Sequence, residues 1–293
     1  MKYFVSRSLL SLSVAFSLLA FLWARNKQYN LELVVLSTTI IILISAISLE
    51  RWLPFCKDWN LSHSDTNTDI FSASVLIGIV DPLLKYAAPV LLLVLCAKIP
   101  MQYRIDFISD AMPFALQLIL ATALIEFGRY WAHRLHHSNQ YLWWLHAMHH
   151  GSERLYALNN FRFHPLNYLI NFCIGVLPAM LLGFDTEVLL GYLALTQPVL
   201  MLQHANIDLR NGWANYIFSS NELHRWHHST DSNEANNNFG NAFVIWDLVF
   251  GTFKYKALNN PEHIGLFSGS SKYPSRESYI QQILSMFKPN CCP

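Results

Sequence analysis

Six apolar stretches limit this fold first, because their length and lack of charge suit a bilayer better than water. They cover residues 9–24, 31–49, 70–97, 113–127, 168–184 and 188–202 of a 293-residue chain. A helix needs about 20 apolar residues to cross the hydrocarbon layer. Inside that layer every backbone polar group must be paired within the protein, which favours helices as the spanning element. Only 13% of the residues are charged and 14% are aromatic. The charged share is about half that of an ordinary soluble domain, and the aromatic content suits membrane interfaces. The sequence thus predicts an all-α, polytopic integral membrane protein with about four to six membrane helices and a polar, histidine-rich cap. The first stretch follows Lys2 and Arg7, lacks a good small-x-small cleavage site and is soon followed by the second. It therefore reads as an uncleaved anchor. Asp81 and Lys85 interrupt the third stretch four residues apart, where they can pair on one helical face. The last two stretches read as a hairpin turning at Asp185-Thr186-Glu187 and are short enough for a re-entrant pair.

The positive-inside rule orients these stretches. With a cytoplasmic N-terminus and six spans, Arg25, Lys27, Lys98 and Arg104 fall outside. Arg51, Lys57, Arg129, Arg134, Arg154, Arg162, Arg210 and Arg225 fall inside. The polar segments 129–164 and 204 onward then share the cytoplasmic face and form the cap. A bacterial inner membrane is the favoured location, with the endoplasmic reticulum as the alternative. The formal net charge of +1 provides no strong field for nucleic acid. Cys56, Cys96, Cys173, Cys291 and Cys292 contain no C-x-x-C pair, so neither a disulfide framework nor a zinc–thiolate site is indicated. The simplest organisation is one domain, with membrane helices over 1–110, a histidine-bearing region over 111–258 and a peripheral tail over 259–293.

Three tight histidine clusters mark the candidate site: His133-x-x-x-His137, His146-x-x-His149-His150 and His224-x-x-His227-His228. Histidines three or four apart share a helical face, so each cluster is expected to point its imidazoles in one direction. Neutral imidazole is the commonest protein metal ligand, and eight of them suit two ions better than one. His204 ends the sixth stretch at the same face and is favoured as a ninth ligand over a supporting role. His136 faces about 100° away from His137 and is not favoured as a ligand. His164, before Pro165, either lines the site or starts a helix, and His63 and His263 read as surface residues. Glu126, on the helical face of Tyr130, His133 and His137, either holds the second ring N–H of a ligand or pairs with Arg129. Ligand type alone allows zinc, iron or copper. No H-E-x-x-H supplies the base of a zinc hydrolase, and a two-metal, histidine-rich centre beside lipid suits oxygen activation better.

The order of these clusters resembles the fatty acid hydroxylase/sterol desaturase superfamily of membrane di-iron enzymes. The resemblance spans about 126–253 and includes Tyr130-Trp131-x-His133-Arg134, Trp144-x-His146, Arg162-x-His164-Pro165, His204-x-Asn206, Phe239-Gly240 and Trp246-Asp247-x-x-Phe250-Gly251-Thr252. The short gap between the first two clusters is more similar to the sterol branch than to acyl-CoA desaturases. The resemblance implies two iron ions held by the eight motif histidines and His204, with zinc as the alternative metal in isolated protein. It implies O₂-dependent hydroxylation of a fatty acyl chain, sterol or related lipid drawn from the bilayer. It also implies roles at the site for Glu126, Asn206 and Asp247, with Asn236 and Asn238 anchoring loops. The chain has no fused cytochrome-like module and no G-x-G-x-x-G fingerprint. A separate donor, such as a reductase, ferredoxin or cytochrome b5-like protein, is therefore expected. The competing readings are a desaturase with the same site, a zinc-dependent hydrolase using Glu222 as base, and an inactive lipid-binding relative.

Overall fold

The computed structural model describes residues 1–97, 112–257, 259–267 and 272–288. Lys98, Arg104, Cys291, Cys292 and the junction drawn at 110/111 lie outside the described residues. Four long helices form the frame: α1 (Lys2–Asn26), α2 (Leu31–Trp52), and, after α3 (Thr66–Val75) and α4 (Asp81–Ala97), α5 (Phe114–Ser138). The fourth long helix, α9 (Thr186–Gln203), comes after α6 (Gln140–His150), α7 (Pro165–Asn171) and α8 (Leu177–Leu181). A π-helical turn, Leu76–Val80, joins α3 to α4, and another, Phe172–Val176, joins α7 to α8. The remaining helices are α10 (Asn221–His227), α11 (Ser232–Ala235), α12 (Ile245–Phe250) and α13 (Tyr279–Leu284). The described residues contain isolated β-bridges but no strand.

Three helical segments are long and apolar enough to cross a membrane: Lys2–Asn26, Leu31–Trp52 and Thr66–Leu91. The protein is a polytopic all-α membrane protein. The three other stretches marked by the sequence are also helical, but they are shorter or more polar. α9 is the clearest case, since it lies between α1, α2 and α5 rather than against lipid. Its Thr196 is buried and returns its hydroxyl to the Tyr192 carbonyl. The hydroxyls of α2 behave alike, with Thr39, Ser45 and Ser48 each bonded to the carbonyl four residues earlier. Such back-bonding lets polar residues lie in an apolar layer.

The ends of these helices are level. At one end Arg25 of α1 pairs with Glu187 of α9, and its guanidinium lies 4.0 Å from the Phe114 ring of α5. At the other end Ser6 donates to the Asp208 carbonyl, and Lys2 lies over the Trp52 ring. The C-terminal ends of α5 and α9 therefore point to the same side, where α6 and α10 cover them. Leu10, Val14, Ile42, Ala46, Val199 and Leu202 fill the space between α1, α2 and α9. Leu118, Ala121, Ile125 and Tyr192 fill the space between α5 and α9. The segment after 259, read as a peripheral tail, instead buries Tyr273 and Tyr279 against Trp143, Trp144 and Met148 of α6. Trp144 also donates its indole N–H to Ser285 Oγ at 2.9 Å.

Candidate metal centre

Four helices deliver the histidines. His133 and His137 lie in the last turns of α5, and His146, His149 and His150 end α6. His204 caps the C-terminus of α9, while His224 and His227 lie in α10 with His228 as its cap. Their ring nitrogens converge in two groups, each with its ligand atoms within 4.8 Å of one another. One group is His133, His137, His146, His150 and His227; the other is His149, His204, His224 and His228. Among the described residues neither group includes a carboxylate or thiolate.

This arrangement corrects the expectation that each cluster faces one way. His146 and His150, four apart, serve the first group, while His149 turns to the second. His224 and His228, also four apart, serve the second group, while His227 turns to the first. Neighbouring helical residues diverge by about 100°, so adjacent histidines cannot meet one ion. The two H-x-x-H-H clusters are thus bridges between two sites, crossed in opposite senses.

Hydrogen bonds fix which nitrogen faces the centre. His133 donates Nδ1–H to the Phe239 carbonyl at 2.9 Å, His227 to the Asn237 carbonyl at 2.9 Å and His149 to the Arg162 carbonyl at 3.3 Å. A carbonyl only accepts, so in each ring Nε2 carries the lone pair. His137, His146 and His204 donate Nδ1–H to the side-chain oxygens of Asn236, Asn167 and Asn159 at 3.1, 2.9 and 2.8 Å. Six Nε2 lone pairs are thereby turned inward. The Nε2 atoms of His133 and His146 are 3.0 Å apart, and those of His150 and His227 are 3.2 Å apart. In the second group His224 Nε2 lies 2.9 Å from that of His204 and 3.0 Å from that of His228. In the His133–His146 pair both rings spend Nδ1–H elsewhere, so two lone pairs face each other and repel unless a cation lies between them. A metal bonded at about 2.1 Å places nitrogens at right angles about 3.0 Å apart, so these spacings fit one ion per group. His137 Nε2 is buried without a protein partner, as a ligating atom would be. The donor set suits a transition metal.

Burial holds the imidazoles of His146, His149, His150, His224 and His228 well below their usual value near 6.5, and neighbouring imidazoles add to the effect. Burial likewise brings His227 down to about 4. These imidazoles are therefore neutral at ordinary pH, the form that can bind a cation.

The other residues singled out by the sequence divide clearly. Asp247 accepts the backbone N–H of Phe239 at 2.8 Å and of Gly240 at 2.7 Å, and the Thr252 hydroxyl at 2.7 Å. It acts on the centre through the Phe239 carbonyl that holds His133. Glu126 reaches neither a ligand ring nor a salt bridge with Arg129. It accepts the Tyr192 hydroxyl at 2.7 Å and the N–H groups of Ala242 and Phe243 at 2.9 Å each, which fastens the same loop to α5. Asn206 bonds to both backbone groups of Cys56 and to Asn60, tying the end of α9 to the loop after α2. Asn238, at φ 56°, clamps Leu223 and Lys254. His136 donates to its own helix at the Ala132 carbonyl and joins neither group. His164 caps the start of α7 by accepting the Leu166 N–H. Glu222, the base a hydrolase would need, is engaged with Asn211, Asn215 and Tyr255. The sequence reading missed Asn159 and Asn167, which orient His204 and His146. Asn159 lies 45 residues from His204, so no local pattern links them.

Residues 118–252 match the fatty acid hydroxylase family model. An ornithine lipid hydroxylase of Rhizobium tropici is 36% identical over 236 residues, covering 80% of this chain and 70% of that protein. The chain belongs to the fatty acid hydroxylase family. It is an oxidoreductase. An alkylglycerol monooxygenase of Caenorhabditis elegans is 26% identical over 80 residues, covering 27% of this chain and 15% of that protein. No solved structure matches the chain.

Proposed function

We propose that this protein is a di-iron, O₂-dependent monooxygenase that hydroxylates a membrane lipid, with an ornithine lipid as the first candidate substrate. The single observation that supports this most is the convergence of nine neutral imidazoles, without a carboxylate, into one buried and one partly buried group beside membrane helices. The substrate class follows from the likeness to an ornithine lipid hydroxylase, which runs over 80% of the chain. In this reading His133, His137, His146, His150 and His227 hold one iron, and His149, His204, His224 and His228 hold the other. Two irons bound there would supply the redox chemistry that O₂ activation and cleavage of an unactivated C–H bond need.

The chain's own part is to hold, orient and shield. The Nδ1 bonds fix each ring's tautomer and angle, which is how outer partners tune a metal site. Burial of the four-histidine group keeps bulk water from a reactive centre. The level helix ends support a centre beside the bilayer, which a lipid would reach by moving sideways rather than by leaving the membrane. Electrons come from a separate donor of the reductase, ferredoxin or cytochrome class. The charge distribution of the sequence supports a centre on the cytoplasmic face.

The test is expression in a bacterium that makes ornithine lipids, with intact protein compared against His149→Ala. The reading expects a lipid one hydroxyl heavier with the intact protein only. An ornithine lipid pool identical in both strains, with both proteins present in the membrane, refutes this substrate.

A further inference from the structure

Asp65 directly precedes α3, which buries Asp69 and Ser72. Positions 65, 69 and 72 follow i, i+4, i+7 and share one helical face. All three hold the segment that links α6 to α7. Asp65 receives Arg154 in a two-point pair, Nε to Oδ2 at 2.8 Å and Nη2 to Oδ1 at 2.7 Å. The Arg154 carbonyl accepts Asn159 Nδ2 at 2.6 Å, which leaves Asn159 Oδ1 to accept the His204 Nδ1–H at 2.8 Å. Asp69 receives Arg162 Nη1 at 3.1 Å and the Tyr156 hydroxyl at 2.5 Å. The Arg162 carbonyl in turn accepts the His149 Nδ1–H at 3.3 Å. Ser72 donates to the Phe161 carbonyl at 2.7 Å and accepts the Phe163 N–H at 3.0 Å. The Phe163 ring stacks on His149 with centroids 4.1 Å apart.

Both chains of contacts end on histidines of the same group, His204 and His149. The five-histidine group has other supports. Three of its rings lean on the 236–239 loop and one on Asn167 of α7. We infer that Asp65, Asp69 and Ser72 are positioning residues for the four-histidine site: the bonds that orient its rings are separate from those of the five-histidine site, so the two sites loosen unequally although α6 and α10 carry histidines of both. This rests on the reading of the two groups as metal sites. Asp69 and Ser72 belong to an apolar segment long enough to cross the membrane, so the chains of contacts that orient His149 and His204 start from that segment.

The experiment measures metal release. Full-length protein in lipid nanodiscs is loaded anaerobically with Fe(II), and loss of iron to a chelator is followed for intact, Asp69→Asn and Ser72→Ala proteins. In Asp69→Asn one of the two ions should be held about ten- to a hundredfold more weakly, the usual effect of losing an outer partner, and the other should be unchanged. Ser72→Ala removes no charge and should weaken the same ion by less. Adding Asn236→Ala, which frees His137, should then loosen the remaining ion, whereas adding Asn159→Ala should leave that ion alone. Should Asp69→Asn not fold because Arg162 is left buried without its partner, Ser72→Ala carries the test. Equal weakening of both ions, as a general loosening would give, overturns the inference, as does no change at either. A protein that binds no iron at all instead overturns the metal reading beneath it.

Discussion

Two adjacent histidines on a helix point about 100° apart, and that angle organises this centre. His149 and His150 part company, as do His227 and His228, so each cluster feeds both groups. The histidines that the structure gathers were marked in the sequence by their spacing, and His204 by its place at the end of an apolar run. The division into five and four was not, because the cluster was treated as one face when its members occupy two. The partners of Nδ1 were also hidden, since Asn159, Asn167 and the carbonyls of Phe239 and Asn237 carry no local pattern. At this scale His149→Ala should abolish turnover and lower bound iron by about half, because it strips one site of a ligand. His136→Ala should leave iron content near that of the intact protein; elemental analysis of the two variants checks both. The metal-free protein should also depend on pH. Its buried imidazoles bind protons more weakly folded than unfolded, so the unfolded chain takes up more protons as pH falls. Their contribution to stability is complete above the unfolded value of about 6.5. It is lost as pH drops toward the folded values, about 4 for His227. Thermal unfolding of iron-free protein should therefore come at lower temperature at pH 5 than at pH 7.5, and identical curves would contradict the assignment of neutral, buried ligands.

Among the elements, the loop 236–243 carries most of the support for the five-histidine group. Asp247 and Glu126 grip its backbone from α12 and α5, and the Tyr130 and Phe250 rings stack at 5.3 Å between those helices. The expectation that Glu126 and Asp247 belong to the site thus takes a specific form, in which both act through this loop. Gly240 is where the loop passes closest to its clamps. A Cβ there would lie 2.3 Å from the Phe243 carbonyl oxygen and 2.7 Å from Asp247 Oδ2. The first is backbone, and the second already accepts the Gly240 N–H at 2.7 Å. Gly240→Ala should therefore displace Phe239 and weaken the ion held by His133 more than its neighbour. Chelator release from this variant should show one fast and one unchanged ion, and unchanged release of both would mean that the loop tolerates the methyl group.

For the whole molecule, the apolar runs gave the fold class correctly, yet among the described residues three segments rather than six meet the length and apolarity of a span. The difference arises because hydropathy does not show which helix lies inside a bundle. α9 is shielded by α1, α2 and α5 and so tolerates Thr196, Gln203 and the interior Pro198. The level ends also make the orientation testable. A cysteine introduced at Trp213, 68% exposed on the histidine side, should react with a membrane-impermeant thiol reagent only after the cytoplasmic face is opened. Labelling of intact cells would invert the proposed orientation. The most direct test of the central claim is the source of oxygen in the product. Cells expressing the intact protein or His149→Ala are grown under ¹⁸O₂, and their lipids are analysed by mass spectrometry. The account predicts a lipid that gains one labelled oxygen with the intact protein alone. A lipid that loses two hydrogens without label, or one whose new oxygen comes from water, would contradict it.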